Sequence, residues 1–109
     1  MSKNSIAAAD VKKICLACEA GAGSSKMLLR SVVTKLKKAG LDIEMVHSTV
    51  FNLGEQDADI YLCHQKLADT AQSIKPDSVF IQFFFFIPVD KPVLKLIEDL
   101  KNGNEIVST

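Results

Sequence analysis

Apolar runs of strand length alternate with segments of helical period along most of the chain, and few folds accept that order. It is the signature of parallel strands joined by crossover helices. Lys13 to Ala17 reads as a first strand. From Ser24 or Ser25 to Ala39, the residues Leu28, Leu29, Val32, Val33 and Leu36 line one helical face, with Gly40 as the expected stop. Leu41 to His47 is predicted as a second strand, Asp59 to Cys63 as a third and Ser78 to Phe83 as a fourth. Leu67, Ala68, Ala71 and Ile74 mark a short helix ending before Pro76. A last helix is expected to start at an Asp90 cap, to bury Val93, Leu96, Ile97 and Leu100, and to stop at Gly103. The expectation is a single three-layer α/β domain over residues 11–102, with a four-stranded parallel sheet, doubly wound and Rossmann-like. Residues 1–10 and 103–109 are read as flexible tails, and Ser48 to Ala58, without a clear period, as a loop or a short helix.

Composition narrows the function. At 109 residues and 48% hydrophobic, the chain suits one core. Thirteen basic and 13 acidic residues cancel, so no global field draws it to nucleic acid or anionic lipid. The longest apolar run, Val79 to Val89, carries Gln82 and Pro88 and is too short for a membrane span, and the first ten residues do not read as a signal peptide. A cytoplasmic chain is expected, and three cysteines are then read as reduced thiols.

The chemistry concentrates after the first strand, in Cys18-Glu19-Ala20-Gly21-Ala22-Gly23-Ser24-Ser25. A thiol ends an apolar run, a glycine-rich loop follows, and two serines open a helix. Unpaired N–H groups at a helix start favour both a thiolate and a phosphate. The glycines admit close approach of backbone to an anion, and the serines add hydroxyl donors. Cys18 is therefore the candidate nucleophile and Glu19 to Ser25 the candidate phosphate cradle.

Competing readings of the same residues are weaker. Cys15 and Cys18 have redox spacing, but along a continuing strand their Cα atoms would stand about 10 Å apart, beyond the reach of a disulfide. Gly21-Ala22-Gly23-Ser24-Ser25-Lys26 fits neither the dinucleotide nor the P-loop pattern. Cys18, Cys63, His47 and His64 lack metal-site spacing, so neither metal nor cofactor is expected. Cysteine phosphatases place an arginine at the sixth position after the thiol, where it clamps the phosphoryl group. Here that position holds Ser24. A phosphocysteine formed without the clamp should hydrolyse slowly and wait for an acceptor, as in a phosphocarrier.

The chain resembles the IIB components of the bacterial sugar phosphotransferase system, in the group with the mannitol and ascorbate types. The loop Ala17 to Ser25 carries the likeness, with Leu62-Cys63-His64-Gln65-Lys66-Leu67 leaning toward the mannitol pattern. Two departures are Cys63, where a small hydroxyl residue is usual, and the apolar Phe83 to Phe86. The resemblance implies a fold like that of low-molecular-weight cysteine phosphatases. It also implies a relay in which Cys18 accepts a phosphoryl group from a phosphohistidine on a IIA partner and delivers it to a sugar held by a membrane IIC partner. Lys26 and His64 are possible further site residues. One or two of the phenylalanines Phe83 to Phe86 are expected to form an exposed apolar patch near Cys18 that docks IIA or IIC. A small cysteine phosphatase and a noncatalytic partner-binding domain are the alternatives.

Overall fold

The computed structural model describes residues 4–18, 23–84 and 91–108, with the side chains at 18 and 23–25 outside that description. The expected loop residues Glu19, Ala20, Gly21 and Ala22, the Asp90 cap, and Phe85 and Phe86 also lie outside the described residues. In chain order the elements are β1 (Ser5–Ala7), β2 (Lys13–Cys18), α1 (Gly23–Lys38), β3 (Glu44–Thr49), β4 (Ile60–His64), α2 (Ala68–Ile74), β5 (Val79–Phe83), α3 (Lys91–Asn102) and β6 (Glu105–Val107).

Four parallel strands form the main sheet in the order β3-β2-β4-β5. Strand residues alternate between two apolar layers, as a sheet covered on both faces requires. Ile14, Leu16, Ile60, Leu62, Ile81 and Phe83 join Leu28, Val32 and Leu36 of α1 and Val93, Leu96, Ile97 and Leu100 of α3 in one cluster. Cys15, Ala17, Tyr61, Cys63 and Phe80 pack on the other face with Ala68 and Ala71 of α2. The same layer holds Val50 and Leu53 of a 3-10 segment, Val50–Glu55. That segment settles the stretch without a clear period: its buried residues are three apart, the repeat of a 3-10 turn.

Both long helices end on the glycines expected to stop them. Gly40 has φ +75° and Gly103 φ +76°, conformations that a Cβ disfavours. After α1, Gly40 N–H donates to Lys37 C=O and Leu41 N–H to Leu36 C=O, both at 3.0 Å. After α3, Gly103 N–H reaches Leu100 C=O and Asn104 N–H reaches Asp99 C=O. These paired bonds are Schellman exits, which satisfy carbonyls the helix leaves open. The first exit explains why β3 starts at Glu44 and not at Leu41: the intervening residues complete the turn and pack Leu41 and Ile43 on the core.

Part of each stretch read as a tail carries secondary structure. β1 and β6 pair antiparallel in a separate two-stranded sheet, with Ile6 opposite Ile106. Ile106 is buried in the α1/α3 layer. Phe80 N–H on β5 donates to Ser108 Oγ at 3.0 Å, and Asn4 Nδ2 donates to Pro76 and Ser78 carbonyls. The physical reason is edge protection: β5 ends the parallel sheet, and the terminal ribbon takes up a backbone donor that would otherwise face outward.

Candidate functional site at the carboxyl ends of the strands

The strand order puts the switch point between β2 and β4. The chain leaves β2 toward β3 on one side and returns to β4 on the other, so a crevice opens beyond their carboxyl ends. Cys18 is the last residue of β2, in register with Thr49 of β3, and its predecessor Ala17 faces Cys63 of β4. His64 pairs with Phe83 at the end of β5. With β4 beside β2, Cys63, His64 and Phe83 lie at the carboxyl ends of their strands, at the same end of the sheet as Cys18.

α1 begins at Gly23, five positions after the thiol. The backbone therefore passes from a strand end into a helix start within the span expected of an anion cradle. Of the cradle residues, Gly23, Ser24 and Ser25 are placed in the first turn of α1, while Glu19 to Ala22 lie outside the described residues. Lys26 is exposed one residue further along the helix.

The second and third cysteines have structural places. Cys15 is fully buried within β2, three positions before Cys18 on one unbroken strand, which is the geometry that argues against a redox pair. Cys63 is buried too, and loss of hydration pushes its thiol up from 9.0 to about 12. It is neutral at physiological pH and packs among Ala17, Tyr61 and Phe80 as a small apolar group.

His64 is the best-defined polar side chain of the rim. Its Nδ1 accepts the Lys66 backbone N–H at 3.1 Å, capping the 3-10 turn Gln65–Leu67. Its Nε2 lies 3.0 Å from Phe84 C=O. The ring stands edge-on to Phe83, with centroids 5.8 Å apart and planes at 88°. Among the described residues no group of three or more histidine, cysteine, aspartate or glutamate side chains is placed to hold a metal.

Three exposed apolar side chains lie on the elements that leave the carboxyl ends of the strands. Phe83 is fully buried, whereas Phe84 is 45% exposed. Phe51, just beyond the end of β3, is 76% exposed, and Met27 in the second turn of α1 is 56% exposed. Sequence reading found the phenylalanine cluster but missed Phe51. An apolar residue between Val50 and Asn52 gives no outward sign until the 3-10 repeat is known to bury Val50 and Leu53 instead.

The family model for the lactose/cellobiose-specific IIB subunit of the phosphotransferase system matches residues 13–107. The chain belongs to this IIB family. A mannitol-specific EIICB component of Geobacillus stearothermophilus is 43% identical over 93 residues, covering 85% of this chain and 19% of that protein. The corresponding component of Bacillus subtilis is 41% identical over 91 residues, 84% of this chain and again 19% of the relative. A mannitol-specific EIICBA component of Buchnera aphidicola is 36% identical over 93 residues, 83% of this chain and 15% of the relative. The IIB chain thus spans less than a fifth of the length of these curated relatives, and its likeness to them makes it a IIB of mannitol type. The lactose-specific IIB domain of Streptococcus pneumoniae shares the fold, with a TM-score of 0.54 at 10% identity, over 86% of this chain and 91% of that one. Among the described residues no helix of this IIB chain is long and apolar enough to cross a membrane.

Proposed function

We propose that this IIB chain is a phosphocysteine carrier in sugar uptake, with Cys18 as the residue that holds the phosphoryl group. The observation that supports it is the position of Cys18: last in β2, at the switch point, with a helix starting five residues on. The Cys18 thiolate attacks the phosphorus of a phosphohistidine on a IIA partner; the S–P bond forms as the P–N bond breaks, and the electron pair stays on the histidine nitrogen. In the second step a sugar hydroxyl, bound by a membrane IIC partner, attacks that phosphorus and releases its proton to solvent. The S–P bond breaks and the thiolate returns. Neither step consumes an oxidant or a metal.

Backbone N–H groups of Glu19 to Ser25 are proposed to receive the phosphoryl oxygens, with hydroxyls from Ser24 and Ser25. Fixed donors aimed at the charge of a transferring phosphoryl group are the largest catalytic contribution open to a chain with little covalent chemistry of its own. Lys26 adds a nearby positive charge. Phe84, exposed at the rim, is assigned to docking of the IIA donor. Similarity to mannitol-specific relatives makes a mannitol system the first source of partners to try.

The test is a mass measurement after incubation with a histidine-phosphorylated IIA protein of mannitol type. Wild type should gain one phosphoryl group and Cys18→Ser none; an adduct that survives in Cys18→Ser would place the acceptor elsewhere. Steady turnover of an aryl phosphate would support the phosphatase reading, which Ser24 in the arginine position disfavours. A wild type that gains no mass would support a noncatalytic binding domain.

A further inference from the structure

The bond at Nδ1 decides the state of His64. Lys66 N–H is a backbone donor, so Nδ1 must present a lone pair to it. In the neutral ring the proton then sits on Nε2, which donates to Phe84 C=O. One imidazole thus joins the turn after β4 to the backbone just past the end of β5. Edge-on contact with the buried Phe83 fixes the plane of the ring. Phe84 is the first residue past β5, and its side chain is exposed while its carbonyl is held.

We infer that His64 is a positioning residue, which as the Nε2–H tautomer anchors Phe84 so that its ring stands ready for the phosphoryl donor protein. The inference rests on the carrier reading above, since it takes the docked protein to be the IIA donor. His64 acts through Phe84 and does not exchange protons with the reacting atoms. Its effect falls on encounter with the donor, not on the transfer step within the complex.

Asparagine and glutamine separate the two bonds. The amide oxygen of His64→Asn can take the place of Nδ1 as acceptor for Lys66 N–H but cannot reach Phe84. The longer His64→Gln can offer an amide N–H toward Phe84. Losing one anchoring hydrogen bond should raise the KM for phosphorylated IIA about five- to tenfold in His64→Asn, with kcat near wild type. His64→Gln should recover much of that loss. Phe84→Ser should raise KM similarly, and the double variant His64→Asn/Phe84→Ser should be no worse than Phe84→Ser alone, because both changes remove one interaction.

Ring 15N NMR of the wild type supplies an independent reading, with Nδ1 as the unprotonated and Nε2 as the protonated nitrogen. The opposite tautomer, fully additive effects in the double variant, or a fall in kcat at unchanged KM would each overturn the inference. So would an unchanged KM in a folded His64→Asn. Those outcomes are read on a wild type that is phosphorylated on Cys18. If the wild type is not phosphorylated at all, the carrier reading fails, and the docking role falls with it.

Discussion

Two cysteines lie near the same end of the sheet, and opposite demands fall on them. The proposed role of Cys18 needs N–H donors that stabilise negative charge, whereas Cys63 sits in an apolar layer that penalises it. Burial of Cys63 has a consequence for stability in alkali. Below pH 9 the thiol is protonated in both folded and unfolded chains and contributes no pH dependence. Between 9.0 and about 12 the unfolded chain gives up this proton while the folded chain keeps it, so the folded state binds more protons and stability falls as pH rises. The slope is about 1.4 kcal/mol per pH unit for one such group. Urea unfolding of wild type and Cys63→Ala from pH 8 to 11 should show the two stabilities converging as pH rises. Parallel curves would mean that the Cys63 thiolate is tolerated inside the fold.

At the level of elements, the short terminal ribbon has an importance out of proportion to its length. β1 and β6 have three residues each, yet Ile106 is buried in the main core and Ser108 accepts from β5. Ile106→Ala should destabilise by roughly 2 to 4 kcal/mol, the cost of a buried large-to-small change, measured by urea unfolding; a loss below about 0.5 kcal/mol, the range of surface changes, would show the ribbon to be detachable. Nothing in the isolated sequence Glu105-Ile106-Val107 announces this, because three residues carry too little period to separate strand from tail. The longer elements were legible for the converse reason. α1 and α3 repeat apolar residues over several turns and end on glycines that adopt positive φ. β2, β4 and β5 were legible as well, since burial on both faces makes them near-continuous apolar runs, whereas the edge strand β3 carries Glu44, His47 and Thr49 and was expected to start three residues too early. As for the site, a thiol between a strand and a glycine-serine loop was visible from residue types alone. The bonds of His64 were not, because its Nε2 meets the carbonyl of Phe84, 20 positions away in sequence and brought near only by strand pairing.

Across the whole molecule, the two ends of the parallel sheet have different tasks. The rim at the carboxyl ends carries Cys18, His64, Phe51 and Phe84, while the opposite end is tied down by Asp59. Its Oδ2 accepts from Lys12 N–H at 2.7 Å and Lys13 N–H at 3.0 Å, and its own N–H donates to Lys13 C=O. Lys12 C=O in turn accepts from Glu44 N–H, so one carboxylate organises the starts of β2, β3 and β4 together. Because β2 is a central strand covered on both faces, distortion at its start should weaken the fold without moving its far end. Asp59→Ala removes a charged acceptor from two backbone donors that water can partly reach, a loss of about 1 to 2 kcal/mol, or a fall in Tm of roughly 5 to 10 °C for a domain of this size. At a temperature where wild type and variant are both fully folded, phosphoryl transfer from IIA to Cys18 should proceed at the same rate in each. A transfer rate that drops in step with stability, measured where circular dichroism reports a folded variant, would mean that the two ends are mechanically coupled and that the rim is held in place by the whole length of β2.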